Sequence, residues 1–387
     1  MTDAPAALSW RPGDDPGDRL FARIAAPDDG GLLLESGYTL PGVTVAYETW
    51  GSLDASRSNA VLVLHALTGD SHAAGPARPG HPTPGWWDPL IGPGSAIDTE
   101  RWFVVSPNVL GGCQGTTGPS SPTPDGTPWG SRFPRLTIRD QVAAEVSLAD
   151  HLGIDRWAGV VGGSMGGMRV LEWCVGHPDR VARAAVLAVG AAATAEEIAL
   201  CSTQCRAIRL DPDFRGGDYY GSGPAPVAGM ALARGIGQIS YRTEAEFGQR
   251  FGRRPQDEEE PPAGGRFAVE SYLEYQGEKL ARRFDPNSYI VLSEAMNSHD
   301  LGRGRGGTTA ALARVTAHIE VAGIDSDRLY PLALQQELAR LLPGRRRSKV
   351  IASAFGHDGF LLESGQVGAV VAAALDACRP SALVHPC

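Results

Sequence analysis

Apolar positions along this chain change period from segment to segment, and the changes divide it into elements. Short, nearly unbroken apolar or β-branched runs occur at Ala60–Leu64, Trp102–Val105, Trp157–Val161 and Ala184–Val189. Runs this short and this free of polar interruption suit strands buried on both faces. Stretches with helical spacing lie among them, such as Ile138–Leu152 and the series Met168, Leu171, Val175 that Pro178 ends. Parallel strands require crossovers of this kind. Leu32–Leu34 and Val43–Thr49 flank a Pro41-Gly42 turn and predict an antiparallel hairpin. From about Gly190 the strand signals give way to helical segments. Strands return at Ile319–Ile324 and Lys349–Ser353, separated by a helix near Leu332–Leu342 and followed by a last helix near Val367–Ala377. The expected fold class is α/β, with a mostly parallel central sheet and an inserted helical region. Residues 1–30, rich in Pro and Asp, are expected to form a loosely held arm; 31–189 and 308–387 form the core, and 190–307 the insertion. The acidic stretch inside 253–266 reads as an exposed loop.

Composition narrows the partners. A net charge of -9 lacks the surplus of Lys and Arg that nucleic-acid or anionic-membrane binding rests on. No apolar run approaches the roughly 20 residues of a membrane span. The N-terminus, with Asp3, Asp14 and Asp15, lacks a basic-then-apolar signal pattern, so a cytoplasmic location is expected. Cys113, Cys174, Cys201, Cys205, Cys378 and Cys387 form no C-x-x-C pair and have no His at zinc spacing, which predicts reduced thiols and no metal. Cys113, in a polar loop, is the one candidate for a reactive thiol. The run Gly302-Arg303-Gly304-Arg305-Gly306-Gly307 could cradle a phosphate, but a return hinge into the core is the simpler reading.

The chemistry is stated at Gly162-Gly163-Ser164-Met165-Gly166, a G-x-S-x-G element between a strand-like run and a helix-like stretch. A sharp strand-to-helix turn that exposes a serine Oγ needs residues without a Cβ on either side, and Gly162 and Gly166 meet that need. Ser164 is the candidate nucleophile, and it requires a base and a group to orient the base. In sheets with this elbow the order along the chain is nucleophile, acid, histidine. Beyond the late strands stand only His357 and His385; the latter is in a short Pro-flanked tail, which leaves His357. The acid belongs just past Ile319–Ile324, where Asp325 and Asp327 both stand and spacing does not choose between them. Two backbone N–H groups are needed for an oxyanion: Met165 after the nucleophile, and Leu67 in the loop that follows Ala60–Leu64.

Together these residues resemble the homoserine O-acetyltransferase family of α/β-hydrolase-fold acyltransferases. The likeness runs through His65-Ala66-Leu67-Thr68-Gly69-Asp70, the Asn108–Ser121 segment with its Gly115-Thr116-Thr117-Gly118-Pro119-Ser120-Ser121 run, the elbow, Ile324–Pro331 and Gly356–Leu361. The resemblance selects Asp327 as the acid, and it implies that the insertion is a lid through which a homodimer forms. It also implies that Arg234 and Tyr241, two helical turns apart, and Asp358 hold the substrate, with Asp358 on the amino group. The implied reaction moves an acetyl group from acetyl-CoA, a co-substrate rather than a bound cofactor, through an acetyl-serine to L-homoserine for methionine biosynthesis. A succinyl-CoA donor, a serine acceptor or an esterase would use the same triad. Gly235 and Gly237 depart from the larger residues expected in that helix, at roughly 1 kcal/mol each against Ala.

Overall fold

A computed structural model describes residues 9–25, 30–221, 223–344 and 347–376. Its centre is an eight-stranded sheet: β1 (Leu20–Ala25), β2 (Val43–Trp50), β3 (Ala60–Leu64), β4 (Phe103–Pro107), β5 (Gly159–Gly163), β6 (Arg183–Leu187), β7 (His318–Ile324) and β8 (Lys349–Ile351). They lie side by side in the order β1-β2-β4-β3-β5-β6-β7-β8. Only β2 runs against its neighbours; from β4 to β8 every pairing is parallel. The strands are apolar on both faces because both are covered. Leu62, Leu64 and Val160 pack into one cluster with helices α1 (Ile138–His151) and α2 (Met165–Gly176), whereas Val61, Val63 and Val161 pack on the other face with Trp87, Ile97 and α11 (Ser364–Asp376). The mostly parallel α/β expectation therefore describes the molecule.

Two local expectations need correction. The arm is not loose throughout: Leu20–Ala25 pairs antiparallel with β2 as an edge strand, with Ala22 and Ala25 turned inward. The Pro and Asp content averaged over thirty residues hid a six-residue strand that covers the otherwise free edge of β2. The hairpin across Pro41-Gly42 is also not formed. Leu32–Leu33 instead pairs with Thr39–Leu40, and Val43–Trp50 enters the main sheet, because a segment buried on both faces needs neighbours on both edges. Strand ends shift by a few residues; the expected Trp157–Val161 run is strand over Gly159–Gly163, carrying it up to the serine.

Between β6 and β7 the chain leaves the sheet and forms α3 (Ala195–Leu210), α4 (Val227–Tyr241), α5 (Glu244–Arg250), α6 (Ala268–Ala281), α7 (Pro286–Asn297) and α8 (Thr308–Leu312). α3 packs on α4 and α7, and α4 packs on α6. Gly277 lets α6 approach α4 closely, since a Cβ there would stand 2.8 Å from the Ala231 oxygen. The chain then returns through β7, α9 (Leu332–Leu341) and β8, and α10 (Gly359–Leu362) precedes α11. At the return, Arg303 pairs with Glu35 at 2.7 Å and Arg305 hydrogen-bonds Glu172 at 2.9 Å, so both arginines of the Gly-rich run are held by carboxylates.

The Gly-Thr-Thr-Gly run acts as a side rail for β2. Thr116 Oγ1 accepts from Ala46 N and donates to Asn108 O, and Thr117 Oγ1 accepts from Thr44 N. The same loop grips the insertion: Gln114 donates to Arg283 O at 2.9 Å, and Cys113 Sγ accepts from Asp285 N at 3.4 Å. Cys113 is buried and its thiol is pushed up to about 12 by that burial, which removes it as a reactive thiol. Cys201 and Cys205 are likewise buried and free; Cys378, Cys387 and His385 lie outside the described residues.

Candidate active site

The elbow is built by close approach. Ser164 has φ 57° and ψ -127°, a left-handed region costly for a residue with a Cβ. The surroundings enforce it. A Cβ on Gly166 would lie 2.1 Å from Leu64 O, and one on Gly162 would lie 2.8 Å from the Gly166 carbonyl carbon. Only glycines let β5, the turn and α2 pass β3 at this distance, and Ser164 N is anchored to Leu187 O on β6 at 3.1 Å.

His357 arrives on a short turn after β8. Its Nε2 lies 2.9 Å from Ser164 Oγ and its Nδ1 lies 2.7 Å from Asp327 Oδ2. All three side chains are buried. Asp327 Oδ1 accepts from Leu329 N and Tyr330 N, both at 2.9 Å, which fixes the carboxylate. Asp325 turns the other way and accepts from Ser353 N at 3.0 Å, bracing the loop after β8. Ser326 Oγ accepts from Gly356 N at 3.1 Å, so the acid loop also holds the histidine loop. Gly356 has φ 62°, and a Cβ there would stand 2.5 Å from Tyr241 O, where α4 ends on that loop. Burial lowers the affinity of His357 for its proton, but the charge and hydrogen bond of Asp327 outweigh it and the pKa is raised above 6.5.

A cavity of about 90 Å³ opens beside the triad, lined among others by Leu67, Ser164, Glu197, Arg234, Tyr241, Tyr330, His357 and Asp358. It is far below the roughly 300 Å³ of a drug-sized ligand site, a size for small groups. A larger groove of about 420 Å³, around Trp10, Arg23 and Trp129, lies elsewhere, along the Gly-Thr-Thr-Gly rail. Of the residues named from sequence, Leu67, Ser164, Arg234, Tyr241, His357 and Asp358 thus share one cavity, with Asp327 behind the imidazole. Met165 is buried as the first residue of α2, where an N–H has no partner inside the helix.

Arg234, Tyr241 and Asp358 are arranged around α4 and its C-terminal end. The Arg234 guanidinium lies 5.5 Å from the centre of the Tyr241 ring. Gly237 makes room for that ring, since a Cβ would meet the Tyr241 hydroxyl at 3.1 Å. Asp358 Oδ2 lies 3.0 Å from Arg242 Nε. Its carboxyl is raised by burial against the pull of Arg242 and Arg234.

Sequence reasoning missed Arg242, Tyr330 and Glu197. Tyr330 stacks on the His357 ring at 4.9 Å between centres. Glu197 was visible as the end of a capping box with Thr194, and nothing in the sequence says that it also faces a cavity.

Among the described residues one cluster has the ligand types of a metal site: Asp18, Glu48, His72 and His81. Part of it is internally paired, while His72 Nε2 and His81 Nδ1 are buried without a hydrogen-bond partner. His72 Nδ1 lies 2.8 Å from Glu48 Oε2, Ser71 donates to Glu48 Oε1 at 2.7 Å, Asp18 N donates to His81 Nε2 at 2.9 Å, and Arg78 pairs with Asp18. The cluster ties the segment before β1 to β2 and to the loop after β3.

The alpha/beta hydrolase fold family matches residues 59–364. The homoserine O-acetyltransferase of Thermobifida fusca is 62% identical over 95% of this chain and 96% of its own length. That of Mycolicibacterium smegmatis is 58% identical over 90% of this chain and 91% of its own. Among solved structures, homoserine O-acetyltransferase from Bacillus anthracis superposes with a TM-score of 0.83 at 28% identity, covering 92% of this chain and 97% of that one. Esterase E22 does so with a TM-score of 0.83 at 27% identity, covering 92% and 99%. Shape alone is thus shared by hydrolases and transferases, and sequence identity separates them. With that identity extending over nearly its whole length, the chain belongs to the homoserine O-acetyltransferase family, built on the α/β-hydrolase fold.

Proposed function

We propose that Ser164, His357 and Asp327 carry an acetyl group from acetyl-CoA to the hydroxyl of L-homoserine, giving O-acetyl-L-homoserine. The observation that carries this reading is the unbroken chain from Ser164 Oγ through both ring nitrogens of His357 to Asp327 Oδ2, at 2.9 and 2.7 Å, beside a small cavity. Neutral His357 takes the serine proton as Oγ attacks the thioester carbonyl, and Asp327 holds the imidazole in the tautomer that leaves Nε2 free. The N–H groups of Met165 and Leu67 receive the oxyanion; each such donor lowers the barrier by about 3 kcal/mol. The tetrahedral adduct collapses, His357 returns the proton to the departing CoA thiolate, and acetyl-Ser164 remains.

In the second half His357 takes the proton of the homoserine hydroxyl, whose oxygen attacks the acetyl carbonyl; the adduct collapses with cleavage of the Ser164 Oγ–acetyl bond, and His357 returns the proton to Ser164 Oγ. Arg234 faces the amino acid's carboxylate, Tyr241 lies beside it, and Asp358 meets the ammonium. A well-oriented hydroxyl has an effective molarity of about 10⁵ M or more, enough to outrun water in a site closed by α3 and α4. The insertion over 190–307 serves as this lid and as a dimer surface: Leu210, Val227, Leu232, Ile239 and Tyr275, on α3, α4 and α6, are apolar and exposed. No helix among the described residues is long and apolar enough to cross a membrane. A reducing cytoplasm suits the four free cysteines among the described residues.

The likeness to esterase E22 keeps water as the rival acceptor. The deciding assay offers acetyl-CoA or succinyl-CoA with homoserine or serine, follows thiol release, and identifies the product by mass. Acetyl-CoA consumption that ignores homoserine would overturn the reading.

A further inference from the structure

The cavity holds one acidic group that the mechanism above leaves unused. Glu197 lies in the first turn of α3 and is 3% exposed. Its Oε2 accepts from Thr194 N at 2.9 Å, closing the capping box; its Oε1 is buried without a hydrogen-bond partner. The residue lines the cavity with Ser164, Arg234 and His357. A buried carboxylate oxygen with no donor is rare enough to need a cause.

A zwitterionic amino acid brings one anion and one cation into this space. Arg234 is the cation available for the carboxylate, and its Nε is also buried without a partner. For the ammonium two carboxylates line the cavity, but Asp358 already has the Arg242 guanidinium 3.0 Å away. Glu197 has no such ion pair among the described residues, and its Oε1 is unpartnered. The rest of that face of α3 offers no charge: Cys201 and Gln204 line the cavity, and Gln204 accepts from the Tyr289 hydroxyl.

We propose that Glu197 is a specificity-determining residue of the acceptor site, its free oxygen receiving the ammonium of the incoming amino acid alongside Asp358. An ammonium has three donors and can serve both carboxylates. The free protein is consistent with a missing cation: burial pushes the Glu197 carboxyl up to about 7, against the cap bond from Thr194 and the pull of His357. An arriving ammonium supplies the charge that keeps it ionised. This inference rests on the amino-acid acceptor proposed above and adds to it the group that reads the amino end.

The test is Glu197→Gln, which removes the charge but keeps a capping-box side chain, so that α3 retains its first turn. KM for homoserine is measured together with the inhibition constant of 4-hydroxybutyrate, which has the same hydroxyl and carboxylate and no ammonium. Thermal unfolding of both proteins checks the fold. The expected result is a homoserine KM raised about tenfold or more, the size of a lost charge-assisted hydrogen bond, with the 4-hydroxybutyrate constant little changed. Equal shifts for the two ligands, or no shift for either, overturn the assignment. If the wild-type protein does not transfer acetyl to homoserine at all, the functional reading has failed instead.

Discussion

Arg169, fully buried on α2, donates through Nη2 to the main-chain oxygen of His65, so the helix that starts just after Ser164 also holds the loop that follows β3. The same guanidinium donates through Nη1 to Glu145 on α1 at 2.7 Å, and Trp173 Nε1 donates to the other Glu145 oxygen at 2.7 Å. His65 completes the brace by accepting from Val109 N at 3.0 Å through Nε2, which assigns the proton to Nδ1, 2.7 Å from Ala66 O. Burial lowers His65 to about 3, so it stays neutral and keeps this tautomer. The proposed oxyanion donor Leu67 follows two residues later.

Arg169→Met should therefore do two separable things. Leaving Glu145 buried without its partner should cost about 3–5 kcal/mol of stability. Releasing the His65 carbonyl should lower kcat by up to about 10²-fold, the scale of a misplaced oxyanion donor. Adding Glu145→Gln should recover part of the melting temperature and little of the kcat. Recovery of both together would mean that the brace acts on stability alone.

Ser164→Ala should reduce transfer by about 10⁶-fold while the protein still melts cooperatively. Intact-protein mass after acetyl-CoA alone should reveal an acetyl adduct on the wild type and none on the variant. Full turnover by the variant would exclude the covalent route.

The pH dependence of kcat/KM follows from His357. The base must be neutral to accept a proton, and its pKa is raised above 6.5, so activity should climb with pH through an apparent pKa on the alkaline side of 6.5. Asp327→Asn should lower kcat by about 10⁴-fold through the wrong tautomer. A rate profile already flat at pH 6.5 would contradict this assignment of the base.

Stability should fall in mild acid. Burial holds His65 at about 3 and His299, which donates to Gly190 O at 3.1 Å, at about 4. Below about 6.5 the unfolded chain binds protons that these folded histidines refuse, so each site removes up to ~1.4 kcal/mol per pH unit until its folded pKa is reached. Melting temperature across pH 4 to 7 measures the slope. His299→Gln should flatten it; an unchanged slope would remove His299 as a source.

Leu232, 58% exposed on α4, tests the proposed dimer. Leu232→Asp should shift the mass found by light scattering towards the monomer if this face is buried between copies. An unchanged dimer would move the interface elsewhere.

Much of this protein was legible along the chain because it is local. The strand-like runs, the glycines around Ser164 and the order of serine, acid and histidine are properties of neighbouring residues and of their sequence in the backbone. They give the sheet, the elbow and His357 without coordinates. Edge strand β1 was obscured because its six residues sit in a Pro- and Asp-rich context, and the hairpin failed because pairing partners are chosen by the whole sheet. The choice between Asp325 and Asp327 could not be made from spacing either: both lie past the same strand, and only folding turns one to Ser353 and the other to His357. Glu197, Tyr330 and Arg242 gain their meaning in the same way. Each has an ordinary local signature, a cap, an aromatic ring or an arginine, and joins the site only when distant segments fold around one cavity. Local backbone chemistry thus sets the elements and the elbow, whereas the surroundings of Ser164 come from contacts between residues well separated along the chain, 30 positions for His357 and Asp327 and 193 for His357 and Ser164, which no local period records.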